Sequence, residues 1–235
     1  MRDLINIAFP IAKYNLKIIF SGKFIWFLLS ALLFYLLFMT ISVYTGTNIN
    51  EELVYNLLIY PALLLIFYPT TFGIQNDSDS RILEILFGIP NYRYKVWLVR
   101  LLMIYIAAYV IIFLFAVLSF FLLYRSNPID VASQIMFPLL FIGNLTFWIS
   151  TLTKSGSGSA IIIIILIAGA SILGTIDPIK NSSWDIFINP YKVNDNMNPI
   201  IWESIIFKNR MYLIIGAIVT LLLGTLNLQK REKFV

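Results

Sequence analysis

The sequence predicts an all-α membrane protein: six transmembrane helices, an N-terminal amphipathic helix in the membrane interface, and both termini in the cytoplasm. Three observations predict it. The 235 residues are 60% hydrophobic and only 12% charged, with a mean hydropathy of +0.86, whereas a soluble domain carries about 25% charged residues to coat its surface. Six uncharged stretches occur, each long enough for the roughly 20 apolar residues of a membrane-spanning helix: Phe24–Asn50, Leu53–Asn76, Leu101–Tyr124, Val131–Thr153, Ser155–Ile176 and Met211–Gln229. The basic residues between them fall mainly on one side of the membrane, as the positive-inside rule requires.

Residues 1–23 are not a span. On a helical wheel Asp3, Asn6, Pro10, Lys13 and Lys17 share one sector, and Leu4, Ile7, Ala8, Ile11 and Ile18 face away from it. This is the pattern of a helix lying in the interface with its lysines toward anionic headgroups. The first span has too long an apolar run for a cleaved signal peptide and lacks a small-residue cleavage site. In the second span Pro61 and Pro69 are expected to bend the helix.

The loop over residues 76–95 is expected in the cytoplasm and contains a short helical candidate, Arg81–Phe87. Asp79 or Ser80 can cap its start, and Gly88 and Pro90 stop it. Arg81, Glu84 and Gly88 form a polar stripe; Ile82, Leu83, Ile85, Leu86 and Phe87 are apolar. Seven residues cannot cross a bilayer, yet these are too apolar for a solvated loop, so they require a cover. Between spans four and five lies a short inner turn at Lys154–Ser159. Residues 177–210 form the long outer loop. There Asn198 as cap and Pro199 at the first helical position open a short helix through about Phe207. The loop is read either as a surface lid or as re-entrant half-helices covered by protein. In the last span Gly216, Thr220 and Gly224 repeat every four residues, as do Ala170 and Gly174 in the fifth. That spacing allows close helix approach, within the chain or between copies.

With the N-terminus inside, the cytoplasm receives twelve of the 17 basic residues: Arg2, Lys13, Lys17, Lys23, Arg81, Arg93, Lys95, Arg100, Lys154, Lys230, Arg231 and Lys233. Arg125, Lys180, Lys192, Lys208 and Arg210 lie outside. The net charge of +5 and pI near 9.3 therefore express topology, not nucleic-acid binding.

Composition also limits chemistry. The chain has no Cys and no His, which removes disulfides, thiol nucleophiles, Cys/His metal sites and imidazole catalysis. The uncharged spans lack the ionisable groups that proton- or ion-coupled carriers place in the membrane. Tyr and Ser have no base beside them, so no catalytic pair is found, and the chain is not expected to be an enzyme. Two glycine-containing stretches fail as phosphate loops: in Lys154–Ser159 the lysine precedes the glycines, and Gly22–Lys23 is followed by Phe24.

The order of these pieces resembles the permease subunit of type-2 ABC exporters, the ABC-2 transporter family. The resemblance is carried by the stretch from Asp77 through Arg81, Leu83, Glu84, Leu86, Gly88 and Pro90 into Tyr92, Arg93 and Lys95. It is supported by the order of interfacial helix, short inner turn and longer outer loop. In the family, a stretch similar to this one docks into a groove of a separate ATP-binding subunit. The resemblance thus implies that Arg81, Ile82, Leu83, Glu84, Ile85, Leu86, Phe87, Gly88 and Pro90 bind that partner, which holds the ATP and Mg; this chain holds no cofactor. It further implies a single permease domain over 1–235, in a prokaryotic cell membrane and paired with a second permease copy, identical or not. An amphiphilic cargo (peptide, drug or lipid-like) passes between the copies. Two other readings stand beside it: a non-transporting interaction, regulatory or immunity protein, and a passive channel or scramblase.

Overall fold

The computed structural model describes residues 24–79, 93–192 and 198–228. They form six long helices: α1 (Phe24–Tyr44), α2 (Glu51–Asp79), α3 (Val99–Leu122), α4 (Pro128–Thr153), α5 (Gly156–Leu173) and α6 (Pro199–Asn227). A π-helical turn, Arg93–Leu98, leads into α3. All six helices are long and apolar enough to cross a membrane, and no strand forms among the described residues. The interfacial helix expected over residues 1–23 and the helical candidate Arg81–Phe87 lie outside the described residues.

Helix limits follow the capping residues. The Asn50 side chain accepts from the Leu53 N–H at 2.9 Å, and Glu51 and Glu52 place negative charge at the positive end of the α2 dipole. Asn127 caps α4 with Pro128 in its first turn, and Lys154, at φ 57°, ends that helix in the left-handed region. Ser155 caps α5 through the Gly158 N–H, so the inner turn is only the two residues Lys154 and Ser155. Asn198 caps α6 through the Ile200 N–H, as expected, but the helix does not stop near Phe207. It runs unbroken to Asn227 because no helix breaker follows Pro199. The prolines at 61 and 69 are both accommodated inside α2.

α2 and α4 make the centre of the bundle. Buried residues make up 78% of the most apolar stretch of α2 and 61% of that of α4, against 17% in α1 and in α5. α2 touches α1, α3, α4 and α5, while α4 touches α2, α3, α5 and α6. The main core joins Tyr35, Tyr55, Leu58, Ile66, Ile112 and Leu139. A second cluster gathers Ile74, Trp97, Leu101, Ile104, Tyr105 and Phe147 near the end where α2 finishes and α3 begins. The outward apolar side chains, such as Trp26 and Leu33 of α1 and Ile165 of α5, are exposed, as expected where lipid is the solvent.

Lipid is as apolar as a leucine side chain, so burial alone gives little reason for these helices to associate. Close approach and buried hydrogen bonds supply it. Gly143 makes room for Tyr105: a Cβ there would sit 2.7 Å from the phenol oxygen. That phenol donates to Asn144 Oδ1 at 2.7 Å, and Asn144 Nδ2 donates to the Ala217 carbonyl at 3.2 Å. One buried asparagine therefore joins α3, α4 and α6. Tyr35 and Ser119 join α1 to α3 at 2.8 Å. The small residues of α6 face α4 within the same chain: a Cβ at Gly216 would meet the Phe141 ring at 2.7 Å, and one at Gly224 the Phe147 ring at 2.7 Å.

Gly216→Leu and Gly224→Leu are each expected to cost about 1–3 kcal/mol by overpacking this contact. Gly169→Leu, which meets nothing within 4 Å, should stay within about 0.5 kcal/mol of the parent protein. Thermal unfolding of the three variants in detergent checks the contrast.

Candidate functional site

The residues expected to bind a partner, Arg81, Ile82, Leu83, Glu84, Ile85, Leu86, Phe87, Gly88 and Pro90, lie outside the described residues. The structure describes the two ends from which they are held. α2 extends to Asp79, and the chain re-enters at Arg93. Just inside these ends, Arg100 Nη1 donates to Asp77 Oδ2 at 2.7 Å, and the two side chains are only 10% and 7% exposed. The Arg100 guanidinium also lies over the Trp97 ring, 5.1 Å from its centroid. The loop is thus closed at its base by a buried ion pair, where each charge removed from water is answered by the other.

The same end of α2 is bonded to its neighbours. Gln75 Oε1 accepts from the Gly156 N–H at the start of α5. A Cβ at Gly156 would lie 2.3 Å from the Phe72 ring, so glycine is what lets α5 begin against α2. Ser150 of α4 donates to the Thr71 carbonyl at 2.9 Å, and Asn227 of α6 donates to the Thr151 carbonyl at 2.7 Å. The loop base is therefore tied directly to α2 and α3, to α4 and α5 through Thr71 and Gln75, and α4 is tied in turn to α6.

The opposite end is closed by residues 174–192, which fold as turns over the bundle. Asn189 Nδ2 donates to the Glu52 carbonyl and to Asn56 Oδ1, both at 2.9 Å. Asn209 Nδ2 donates to the Ser183 and Asp185 carbonyls at 3.1 and 2.8 Å, and the Trp202 indole to the Pro190 carbonyl at 3.1 Å. Tyr191 donates to Asp130. Burial raises the Asp185 carboxyl above the usual range, with the Phe187 N–H and Lys192 pulling it partly back. Burial, then the Asp130 hydrogen bond, raises the Tyr191 phenol.

Two buried, bonded polar residues inside the helices are not marked by the apolar pattern, Arg210 and Asn144. Arg210 is expected in an outer loop, but it lies in the fourth turn of α6 and is buried at 6% exposure. Its Nε donates to Gln134 Oε1 at 3.0 Å and its Nη1 to Asn209 Oδ1 at 2.9 Å. Dividing the chain at its charges places every charge outside a span by construction. The Asn198–Pro199 cap followed by an unbroken helical run was the signal that would have found it. Asn144 carries a signal of its own, since a lone asparagine mid-span is a pointer to an interhelical bond.

Among the described residues no group of three or more His, Cys, Asp or Glu side chains is placed to hold a metal ion. The six helices make this a multi-pass membrane protein. Comparison with protein-family models, curated proteins and solved structures gives no match.

Arg100→Met leaves Asp77 buried without its partner and is expected to cost about 3–5 kcal/mol. The double variant Asp77→Asn/Arg100→Met removes both charges and should recover more than half of that loss. Unfolding curves of the single and double variants in detergent measure the difference.

Proposed function

We propose that this chain is the membrane permease subunit of an ATP-driven ABC-2 type exporter in a prokaryotic cell membrane, working as a pair of permeases with a separate ATP-binding partner. The observation that carries the reading is the rooting of the 80–92 loop, the stretch that resembles the family's coupling segment. Its base is clasped by Asp77 and Arg100 and enters the most buried helix of the bundle. A loop that receives force from outside is useful only if it is fixed to an element that moves its neighbours.

In this mechanism Ile82, Leu83, Ile85, Leu86 and Phe87 bury their apolar face in a groove of the partner, and Glu84 and Arg81 fix its orientation. ATP and Mg are bound and turned over on the partner. The change in the partner's shape pulls on the loop, and the Asp77–Arg100 pair passes the pull to α2 and α3 together. Gln75 and Thr71 then shift α5 and α4 with them. The cycle works because nucleotide binds differently to the inward- and outward-facing states of the assembly. In this reading the turns over 174–192, tied to α2 and α6 by Asn189 and Asn209, gate the outer end.

A path between two copies is favoured over a pore within one chain. Tyr105, Asn144 and Ser150 in the bundle interior bond to other parts of the same chain, which leaves those groups closed to a passing ion. An amphiphilic cargo suits the apolar groove of about 380 Å³ bordered by Phe27, Phe34, Tyr60, Leu63 and Ile167, between α1, α2 and α5.

Glu84→Lys and Leu86→Asp are each expected to lower recovery of the co-purifying ABC ATPase from native membranes by at least about tenfold, equivalent to 1.4 kcal/mol, with membrane insertion unchanged. Normal recovery of the ATPase by both variants would remove the coupling assignment.

A further inference from the structure

A guanidinium stays charged at any pH the protein meets, and a buried charge needs an opposite one. Arg210 lacks it. No carboxylate of a described residue lies within ion-pair distance of it. Its bonded partners are the neutral amides Gln134 and Asn209, and its guanidinium stands 5.4 Å from the centroid of the Phe137 ring. The Tyr55 phenol lies beside it and interacts with the guanidinium, though neither that hydroxyl nor Arg210 Nη2 has the geometry of a full hydrogen bond; the phenol is neutral and supplies no counter-charge. Asp185, in the turns that precede α6, accepts from the Phe187 N–H at 3.0 Å.

Arg210 lines a cavity of about 480 Å³ between the outer halves of α4 and α6, with Glu203, Phe207, Met211, Ile214 and Gln134 also in its wall. Here the charges are ordered along α6. Glu203 comes first and is exposed; Arg210 follows seven residues later, two helical turns and roughly 10 Å further along the axis on the same face. Beyond it the wall is apolar, and Met211 and Ile214 continue into the exposed surface of Ile215, Ile218 and Leu222.

We propose that this cavity binds the headgroup of a glycerophospholipid bearing a primary ammonium, its phosphate on Arg210, its ammonium on Glu203 and an acyl chain along Met211 and Ile214. Ammonium, phosphate and hydrocarbon succeed one another from the membrane surface inward in such a lipid. Glu203, Arg210 and the apolar wall succeed one another in the same order from the start of α6. The phosphate supplies the missing anion, with charge-assisted bonds worth more than neutral ones. Gln134, whose Oε1 is held by Arg210, offers its amide N–H group to the same phosphate. Glu203 disfavours a lipid with an anion alone and cannot hydrogen-bond a quaternary ammonium. The site rests on the membrane-spanning fold and stands whether or not the chain is an exporter.

The test is native mass spectrometry of the full chain titrated with phosphatidylethanolamine, phosphatidylcholine, phosphatidylglycerol or inorganic phosphate. The parent protein should retain phosphatidylethanolamine at least about tenfold better than the other two lipids, a difference of 1.4 kcal/mol. Arg210→Gln should lose retention of all three. Glu203→Gln changes an exposed side chain and should preserve the fold, and it should level phosphatidylethanolamine with phosphatidylglycerol. Equal retention of the three lipids by the parent protein, or an unchanged lipid ratio in Glu203→Gln, overturns the proposal. Displacement of bound lipid by micromolar inorganic phosphate overturns the lipid assignment in favour of a free anion.

Discussion

Lipid will not solvate a polar group, so a polar group inside this bundle is costly unless another part of the chain answers it, and the contacts between the helices are built largely on that constraint. The Asp77–Arg100 pair is its strongest expression. Two charges sit almost fully buried where α2 ends and α3 begins, and neither is tolerable there alone. Their pairing fixes the exit and re-entry points of the loop between these helices. Weaker versions of the same rule hold the other contacts, with Asn144 joining three helices and Ser150 reaching a backbone carbonyl of α2.

The rule also divides the bundle into two working ends. At the end that carries the 80–92 loop, bonds from Thr71, Gln75 and Asp77 knit α2 to α4, α5 and α3. At the opposite end the bonds run to a layer of turns, from Asn189 and Asn209, and the Arg210 guanidinium has no counter-charge among the described residues. Under the proposed permease reading, this division supplies a rigid root where force arrives and a polar face at the far side where a molecule enters or leaves.

Much of the fold was legible in the sequence. Apolar length alone placed six helices, and Asn198 with Pro199 marked a helix start, though read as a short helix ending near Phe207 where the structure runs it on to Asn227. What was not legible followed from the method of reading. Charges served as span boundaries, so Arg210 was assigned to a loop although nothing after Pro199 breaks a helix. The pairing of Asp77 with Arg100, 23 positions apart, depends on how two helices cross and leaves no mark in either local sequence. The small residues of α6 were visible as a pattern, but only the rings of Phe141 and Phe147 against them decide that the pattern serves packing inside the chain. The candidate partner-binding residues from Arg81 to Pro90 lie outside the described residues, so their role rests on sequence and on the geometry of their anchors.

The chain contains no cysteine, which makes one measurement unusually direct. A single cysteine introduced by Leu83→Cys is the only thiol available, and crosslinking in native membranes followed by mass spectrometry reports what touches the loop. The account predicts an adduct with an ABC-type ATP-binding protein. A correctly inserted Leu83→Cys protein that crosslinks to no such ATPase would contradict it.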